Sequence, residues 1–319
     1  MAALAAVVVI ATSGCGGSPL GGALAPTTVT TPTGRTGLRQ RAPGDDSDID
    51  APQSIEQAAV LGDATFVGAG DIANCDVPGA VETARLLDAI PGDVFTLGDH
   101  AYPNGTTDAF SRCYDPMWGR HRARTHPTPG NHDWGVENGG PYFTYFGANA
   151  GSRTGYYSFE LGAWHILSLN SNVGAGPGSP QFEWVKADLA VHRTRCALAY
   201  WHYPRFSSGP NGSTPQMQQL WWLLETSGVD VVLSGHDHFY ERFTPQDHEG
   251  VPTPNGMRLF VVGTGGTSLY GLQAIQPGSE VRGQAWGVLQ LTLSPDRYSW
   301  AFVPVPGETF RDAGGDLCH

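Results

Sequence analysis

The chain has 319 residues, a net charge of −12 and a hydrophobic share of 40%. Its 43 glycines and 24 prolines indicate many loops, while 9 Trp, 11 Tyr and 13 Phe indicate a substantial core. The acidic balance argues against nucleic acid as a partner, because such proteins need a basic surface. No apolar run reaches the roughly 18 residues of a membrane-spanning helix. These properties leave an enzyme or a binding domain.

The first 60 residues are predicted to direct export. An apolar run from Ala2 to Ala11 has the length of a signal-peptide core, and the following Thr-Ser-Gly-Cys resembles a bacterial lipobox. We therefore expect residues 1–15 to be a signal segment, with Cys15 as a lipid anchor and the only contact with a membrane. Residues 16–60, rich in Gly, Pro and Thr, predict a flexible tether. The mature protein is expected at the cell surface or secreted.

The remaining cysteines support this location. Without Cys15 the chain has an even set, Cys75, Cys113, Cys196 and Cys318, and none of them has zinc-site spacing. Two disulfide bonds in an oxidising compartment are the better interpretation. Three pairings are open, of which we predict Cys75–Cys113 with Cys196–Cys318.

Regular structure is predicted from about residue 61 to the end of the chain. Helices are expected at about Pro78–Ile90, from about Pro180, and after Thr214 as N-cap. Short apolar runs predict strands at Thr65–Gly70, Val94–Gly98, Tyr156–Leu161, Trp164–Asn170, Ala197–Trp201, Val229–Ser234, Leu259–Gly263, Val288–Leu293 and Tyr298–Val303. The mixture of strands and helices predicts one α/β domain over residues 61–319.

Five polar motifs follow predicted strands, where α/β domains place their sites. They are Gly70-Asp71, Gly98-Asp99-His100-Ala101-Tyr102, Gly130-Asn131-His132-Asp133, Trp201-His202 and Gly235-His236-Asp237-His238. A glycine before the polar residue allows a sharp turn and keeps bulk out of the centre. The oxygen and imidazole donors suit divalent or trivalent first-row metals.

The ordered set resembles the calcineurin-like metallophosphoesterases, and within them an exported bacterial member of the purple acid phosphatase branch. The resemblance extends from about Thr65 to Pro306. Ala73 stands where other members have a ligand histidine, and Tyr102 supplies a donor in the next motif, as in that branch. The family implies an α/β fold, a four-layer αββα sandwich of two mixed β-sheets flanked by helices, with the site at one edge.

The resemblance also implies two metal ions. The first would be held by Asp71, Asp99, Tyr102 and His238; the second by Asp99 as a bridge, Asn131, His202 and His236. Phenolate and carboxylates favour Fe(III) in the first site, and two imidazoles suit Zn, Mn or Fe(II) in the second. His165, in a predicted strand, is interpreted instead as a core imidazole with satisfied hydrogen bonds.

Roles beyond the metals are predicted for a few residues. His132 would be catalytic, donating to phosphate or to the leaving oxygen, and Asp133 would orient it. Asn131, His132 and Arg205 would bind substrate. Asn211 and Tyr203 stand where the branch has histidines, one of them a proposed general acid, and His100 is an alternative proton donor.

The leading hypothesis is hydrolysis of small phosphomonoesters outside the cytoplasm, by attack of a metal-bound hydroxide on phosphorus. Two alternatives stay open. One is phosphodiesterase or nucleotidase activity on the same metal core. The other is a weakly active surface lipoprotein that binds phosphate or metal.

Overall fold

A computed structural model describes residues 62–319. The predicted signal segment, the tether and Cys15 lie outside the described residues. Within them, the strands are β1 (Ala64–Ala69), β2 (Asp93–Thr96), β3 (Thr125–Pro127), β4 (Tyr157–Leu161), β5 (Trp164–Ser168), β6 (Cys196–Tyr200), β7 (Val231–Ser234), β8 (Tyr240–Phe243), β9 (Arg258–Val262), β10 (Ser279–Gly283), β11 (Gly287–Ser294), β12 (Arg297–Pro304) and β13 (Ala313–Leu317).

The helices are mostly short. They are α1 (Gly79–Ala89), α2 (Thr107–Ala109), α3 (Asn131–Trp134), α4 (Gly140–Phe146), α5 (Pro180–Val191) and α6 (Gln218–Thr226). A π-helical turn follows α2 at Phe110–Tyr114, and 3₁₀ turns occupy Trp118–Arg124, Gly147–Ala150 and Pro215–Met217. No described helix is both long and apolar enough to cross a membrane.

The strands form two mixed sheets. The first has the order β13-β12-β11-β1-β2-β3, with β1, β2 and β3 parallel and the other three strands antiparallel. The second has the order β10-β8-β9-β7-β6-β5-β4, in which β5, β6, β7 and β9 are parallel. The predicted fold class, two mixed sheets with flanking helices, is confirmed.

An aromatic core joins the two sheets. The ring of Phe66 on β1 lies 5.0 Å from that of Phe95, 5.9 Å from that of Tyr200 and 6.1 Å from that of Phe159, centroid to centroid. Phe66 and Phe95 belong to the first sheet, and the other two to the second. Edge-to-face pairs of this kind add about 0.5–1.5 kcal/mol each to the burial of the rings.

Alternation along the central strands explains the helical outer layer. On β5, Ile166 packs in the core between the sheets, whereas Leu167 packs with Phe182 of α5 and Trp221 of α6. Both faces of β5 are therefore covered, as is typical of a parallel strand with crossover helices. On the other side, α1 packs its buried alanines and Leu87 against the first sheet.

Most predicted elements are present with small shifts of their ends. The predicted helix after Thr214 differs: a 3₁₀ turn at Pro215–Met217 precedes α6, and the Thr214 side chain makes no capping hydrogen bond. Sequence patterns did not predict β3, β8, β10 or β13, which are short or edge strands. They also missed α4, whose aromatic residues are largely buried in the core.

Both predicted disulfide bonds are present. Cys75 pairs with Cys113, and Cys196 pairs with Cys318. The second bond joins the first residue of β6 to the residue after β13, so it links the second sheet to the first.

Candidate metal centre

The candidate ligands lie on loops at the carboxyl ends of parallel strands from both sheets. Asp71 follows β1 and Asp99 follows β2, while His202 follows β6 and His236 follows β7. Asp71, Asp99 and His236 have φ values of 61°, 52° and 71°, a region that costs a non-glycine residue roughly 1–3 kcal/mol. Hydrogen bonds hold these turns: His236 N donates to Asp71 Oδ2 over 2.8 Å. Such strain is typical of functional loops.

Tyr102 lies between both carboxylates and one imidazole. Its hydroxyl oxygen is 3.0 Å from Asp71 Oδ1, 3.1 Å from Asp99 Oδ2 and 3.2 Å from His238 Nε2. His238 Nε2 is also 3.4 Å from Asp71 Oδ1. These four side chains, predicted to hold one metal, thus converge on one small volume, and all four are buried.

The same Asp99 carboxylate faces a second set of donors. Its Oδ2 lies 3.3 Å from His202 Nε2, which is 3.0 Å from Asn131 Oδ1. Ligand atoms of Asp99, His202 and His236 lie within 4.8 Å of one another. Asp99 therefore occupies the shared position between two donor groups, with its other oxygen accepting a hydrogen bond from His132 N over 2.9 Å.

Backbone carbonyls orient two of the imidazoles. His202 Nδ1 is 2.6 Å from Leu97 O, and His238 Nδ1 is 2.8 Å from Ser268 O. Each contact holds a proton on Nδ1 and turns Nε2 toward the centre. This is the usual way in which proteins prepare a histidine for a metal.

Two glycines are required by close approach. A Cβ on Gly130 would lie 2.0 Å from Asp99 Oδ1, and one on Gly98 would lie 2.7 Å from His202 Nδ1. Gly98 also has a φ of 85°, which disfavours other residues. These two glycines therefore allow the backbone to lie directly against the side chains of Asp99 and His202.

The electrostatics of the cluster favour cations. Burial raises the pKa of Asp99, but the charge and hydrogen bond of His202 outweigh it and leave this pKa well below its usual range. Burial lowers the pKa of His202 while Asp99 raises it, with a net value of about 9. Burial and the charge of His202 lower the pKa of His236 to about 4.

The pKa of Tyr102 moves the other way, raised well above its usual value by burial and by the two carboxylates. Among residues 62–319, neither Asp71 nor Asp99 pairs with a lysine or arginine. Two carboxylates, a phenol, an amide and three imidazoles therefore meet without a lysine or arginine partner, which fits a pair of metal ions.

His132 stands at the mouth of the centre. Its side chain is 34% exposed, its Nε2 lies 3.8 Å from Asp99 Oδ2, and its Nδ1 contacts the Pro103 carbonyl oxygen. The ring also lies 4.7 Å from that of Tyr102, centroid to centroid. An exposed imidazole beside buried ligands is well placed to meet a substrate.

Two expectations about its neighbours are wrong. Asp133 does not orient His132; its carboxylate turns back to accept from Gly130 N over 2.9 Å and from His100 Nδ1 over 2.8 Å, because it lies in the first turn of α3. His100 is fully buried, with Thr96 Oγ1 2.7 Å from its Nε2. Four aromatic rings surround it (Phe110, Tyr114, Tyr142 and Phe146). A ring so enclosed cannot deliver a proton to a substrate.

Three residues of the loop after β6 were singled out by sequence. The ring of Tyr203 lies 4.6 Å from that of His236, and Asn211 Nδ2 donates to His236 O over 3.1 Å. Both therefore border the centre. Arg205 is buried, donates to His248 O and lies over the Phe206 ring. Its predicted contact with substrate stays a prediction.

Tyr270 is a residue of the site that the sequence did not predict. Its ring stacks on that of His238 at 3.9 Å with an interplanar angle of 14°, and its backbone N donates to His238 O. Tyr270 lies in an irregular segment between β9 and β10, where no periodic pattern or motif marks it. With Tyr203 it places one aromatic ring beside each of the two histidines of the last motif.

The family model described as Calcineurin-like phosphoesterase matches residues 62–240, more than half of the chain. This match includes all seven candidate ligands. The chain belongs to the calcineurin-like phosphoesterase family.

Among curated relatives, plant purple acid phosphatases are similar. Purple acid phosphatase 21 of Arabidopsis thaliana is 29% identical over 268 residues, 74% of this chain and 59% of that protein. Purple acid phosphatase 18 of the same plant is 35% identical over 117 residues, 35% of this chain and 26% of that protein. The chain thus spans less than two thirds of the length of these relatives.

The fold is also similar to that of a solved enzyme. Purple acid phosphatase PPD1 from yellow lupin (Lupinus luteus) seeds superimposes with a TM-score of 0.71, covering 80% of this chain and 54% of that one at 23% identity. At this identity the likeness shows the metallophosphoesterase fold. In this chain the two sheets bring the loops after β1, β2, β6 and β7 together, where the candidate ligands meet.

Proposed function

We propose that the chain is a phosphoesterase of the purple acid phosphatase type that hydrolyses small phosphomonoesters with two metal ions. The observation that carries the proposal is the position of Asp99, whose Oδ2 faces Tyr102 on one side and His202 on the other at 3.1 and 3.3 Å. A carboxylate shared by a phenol-containing and an imidazole-containing donor group suits a bridge between two unlike metals.

The first metal would be held by Asp71, Asp99, Tyr102 and His238, and the second by Asp99, Asn131, His202 and His236. Fe(III) suits the first donor set, and Zn, Mn or Fe(II) suits the second. When bound, two such ions neutralise the phosphate charge and make water a stronger nucleophile.

The chain's own groups would complete the reaction. His132, one-third exposed at the mouth, would donate a hydrogen bond to the phosphate or to the leaving oxygen. The Asn131 side chain would contribute to phosphate binding beside its metal. The proposed contact of Arg205 with substrate predicts a higher KM, with little change in kcat, for Arg205→Ala.

Export of a catalytic domain of residues 61–319, behind a signal segment and a tether, forms part of the proposal. Two disulfide bonds support it, because such bonds persist in oxidising compartments. A signal segment over residues 1–15 and lipidation of Cys15 remain predictions. Mass spectrometry of the mature chain, with its N-terminus and any lipid, tests both.

The decisive experiment is a visible absorption spectrum with metal analysis on the same sample. Tyrosinate bound to Fe(III) gives a charge-transfer band, which Tyr102→Phe should abolish while Tyr145→Phe, a tyrosine paired with Asp115 away from the centre, keeps it. Hydrolysis of activated phosphate monoesters should fall with the loss of the band. A colourless protein with two zinc or manganese ions and full activity would remove the iron assignment.

A second candidate function is supported by the two residues that border His236. Asn211 cannot donate a proton usefully. Burial and, to a smaller extent, the charge of Asp99 raise the pKa of Tyr203, so Tyr203 keeps its proton. Without a proton donor at these two positions turnover would be slow, which is consistent with a surface protein that binds metal or phosphate. Metal-loaded protein without turnover of monoesters or diesters at any pH would favour it, whereas preference for diesters or nucleotides would favour the phosphodiesterase alternative.

A further inference from the structure

A second cluster of metal-type side chains lies away from the centre described above. It consists of His165, Asp188 and His192, whose ligand atoms lie within 4.8 Å of one another. His165 on β5 pairs with Ala197 near the beginning of β6, whereas His202 follows the end of β6. Five residues of extended chain span about 17 Å, so the cluster lies at the amino ends of β5 and β6, whereas the candidate metal centre lies beyond the carboxyl end of β6.

Sequence periodicity builds this cluster at the end of an apolar interface. His165 and Leu167 lie two residues apart on β5 and therefore share the face that meets α5, where Leu167 packs with Val185. One helical turn beyond Val185 comes Asp188, and His192 follows it at the i+4 position on the same face. The same strand–helix contact is thus apolar at one end and polar at the other.

Asp188 is the centre of the polar end. Its Oδ2 lies 2.6 Å from His165 Nε2 and its Oδ1 lies 3.3 Å from His192 Nδ1. Ser158 Oγ donates to the same Oδ1 over 2.8 Å. The two imidazole rings are stacked, with centroids 4.6 Å apart and planes 12° from parallel. One carboxylate therefore lies within 3.3 Å of two imidazole nitrogens, and His192 Nδ1 also lies 3.1 Å from the Asp188 backbone oxygen, which leaves its Nε2 free for a ligand.

Glu160 adds the feature that separates this cluster from an ordinary ion pair. Its Oε1 lies 2.7 Å from His165 Nδ1, so a proton on Nδ1 is held there and Nε2 is turned toward Asp188. A carboxylate behind a histidine is the arrangement that orients metal-binding imidazoles. An ion pair of His165 with the carboxylates of Glu160 and Asp188 would account for these contacts without a second imidazole. His192 supplies a second imidazole, which a metal site needs and an ion pair does not.

We propose that His165, Asp188 and His192 form a separate binding site for one divalent cation of the zinc type. Two imidazoles and a carboxylate form a recurrent set of zinc ligands, with a fourth position left for water. His165 is buried and the His192 side chain is 45% exposed, so the site opens to solvent on one side only. A cation there would tie the carboxyl end of α5 to β5.

Zinc content of the full chain tests the site. The protein is stripped with a chelator, loaded with Zn²⁺, separated from free metal by gel filtration and analysed for zinc per chain. His192→Ala removes an exposed ligand, and Asp188→Asn removes the central charge at nearly constant shape. His248→Ala is the matched control, since His248 is a part-exposed imidazole with a single carboxylate partner, Glu225, at 3.0 Å.

Both cluster variants should hold one zinc ion fewer than the wild type and His248→Ala. With Co²⁺ in place of zinc, the wild type should show visible absorption bands. In His192→Ala these bands should be weaker by the contribution of one Co²⁺ ion. Zinc content equal to that of the wild type in either cluster variant would overturn the proposal. A misfolded variant is recognised by a far-UV circular dichroism spectrum that differs from that of the wild type, and the other variant then decides.

Discussion

The buried carboxylate of Asp312 offers the sharpest test of what stabilises the fold. Its side chain is 6% exposed. Oδ2 accepts from Tyr240 OH over 2.6 Å, from Arg242 Nε over 2.7 Å and from Trp300 Nε1 over 3.0 Å. Oδ1 accepts from Arg242 Nη2 over 3.2 Å. Asp312 thus holds β8 of the second sheet and β12 of the first at one point.

Asp312→Asn keeps the size of the side chain but removes its charge. The amide oxygen can serve the three donors at Oδ2, and the amide NH₂ then opposes Arg242 Nη2. Breaking a buried ion pair costs about 3–5 kcal/mol, and we expect the lower end because Arg242 keeps Glu280. For a domain of this size, about 3 kcal/mol corresponds to a fall in Tm of roughly 6–12 °C.

The matched control is Asp296→Asn. Asp296 pairs with Arg297 at 3.0 Å, a similar distance, but its side chain is 43% exposed. Solvent screens an exposed pair, so it contributes little to stability. Urea unfolding of the three proteins, followed by fluorescence, gives the two free-energy differences. Equal, small losses for both variants would refute the argument that burial makes the Asp312 contacts strong.

The pH dependence of the stability that Asp312 contributes has a defined sign. Burial raises the pKa of Asp312, but the hydrogen bonds and charge of Arg242 and the hydrogen bond from Tyr240 outweigh it, so the folded pKa lies below the usual value. The stability that Asp312 contributes is therefore complete above about pH 4 and lost as the pH falls through the folded pKa. The difference between wild type and Asp312→Asn should shrink in that range.

The remaining predictions concern the centre and the cross-links. Asp99→Ala should remove both metals, because the bridge is shared; metal analysis that finds either site still loaded would contradict the assignment. If the proposed function holds, Gly130→Ala should lower the hydrolysis of activated phosphate monoesters by about tenfold or more, since its Cβ would lie 2.0 Å from Asp99 Oδ1, and an unchanged rate would show that the loop can move. Replacing Cys196 and Cys318 by serine should cost about 2–5 kcal/mol in urea unfolding, because the bond closes 122 residues; unchanged stability would contradict it.

Local patterns determined much of the fold. The runs that became β1, β5 and β6 are apolar and bounded by turn residues, and α5 has a periodic apolar face after Ser179, whose side chain caps it. Edge strands such as β13, with every residue exposed, have no apolar pattern to detect. Their position depends on pairing with a neighbouring strand, as β13 pairs with β12.

The candidate ligands were also predicted from local sequence, because each follows a strand within a recognisable motif. What the motifs cannot specify is which atoms face each other. Tyr102 and His238 are 136 residues apart, and only the packing of two sheets brings their side chains to 3.2 Å. The same packing turned Asp133 away from His132 and enclosed His100 in aromatic rings.

Sequence alone therefore determined the donor types, the apolar strands and the cysteine set, since these depend on residues close in the chain. Tertiary structure decided the rest. It placed Tyr270 against His238 and gathered His165, Asp188 and His192 where β5 meets α5. Contacts of this kind depend on side-chain direction and on the register between elements, which the order of residues does not express locally.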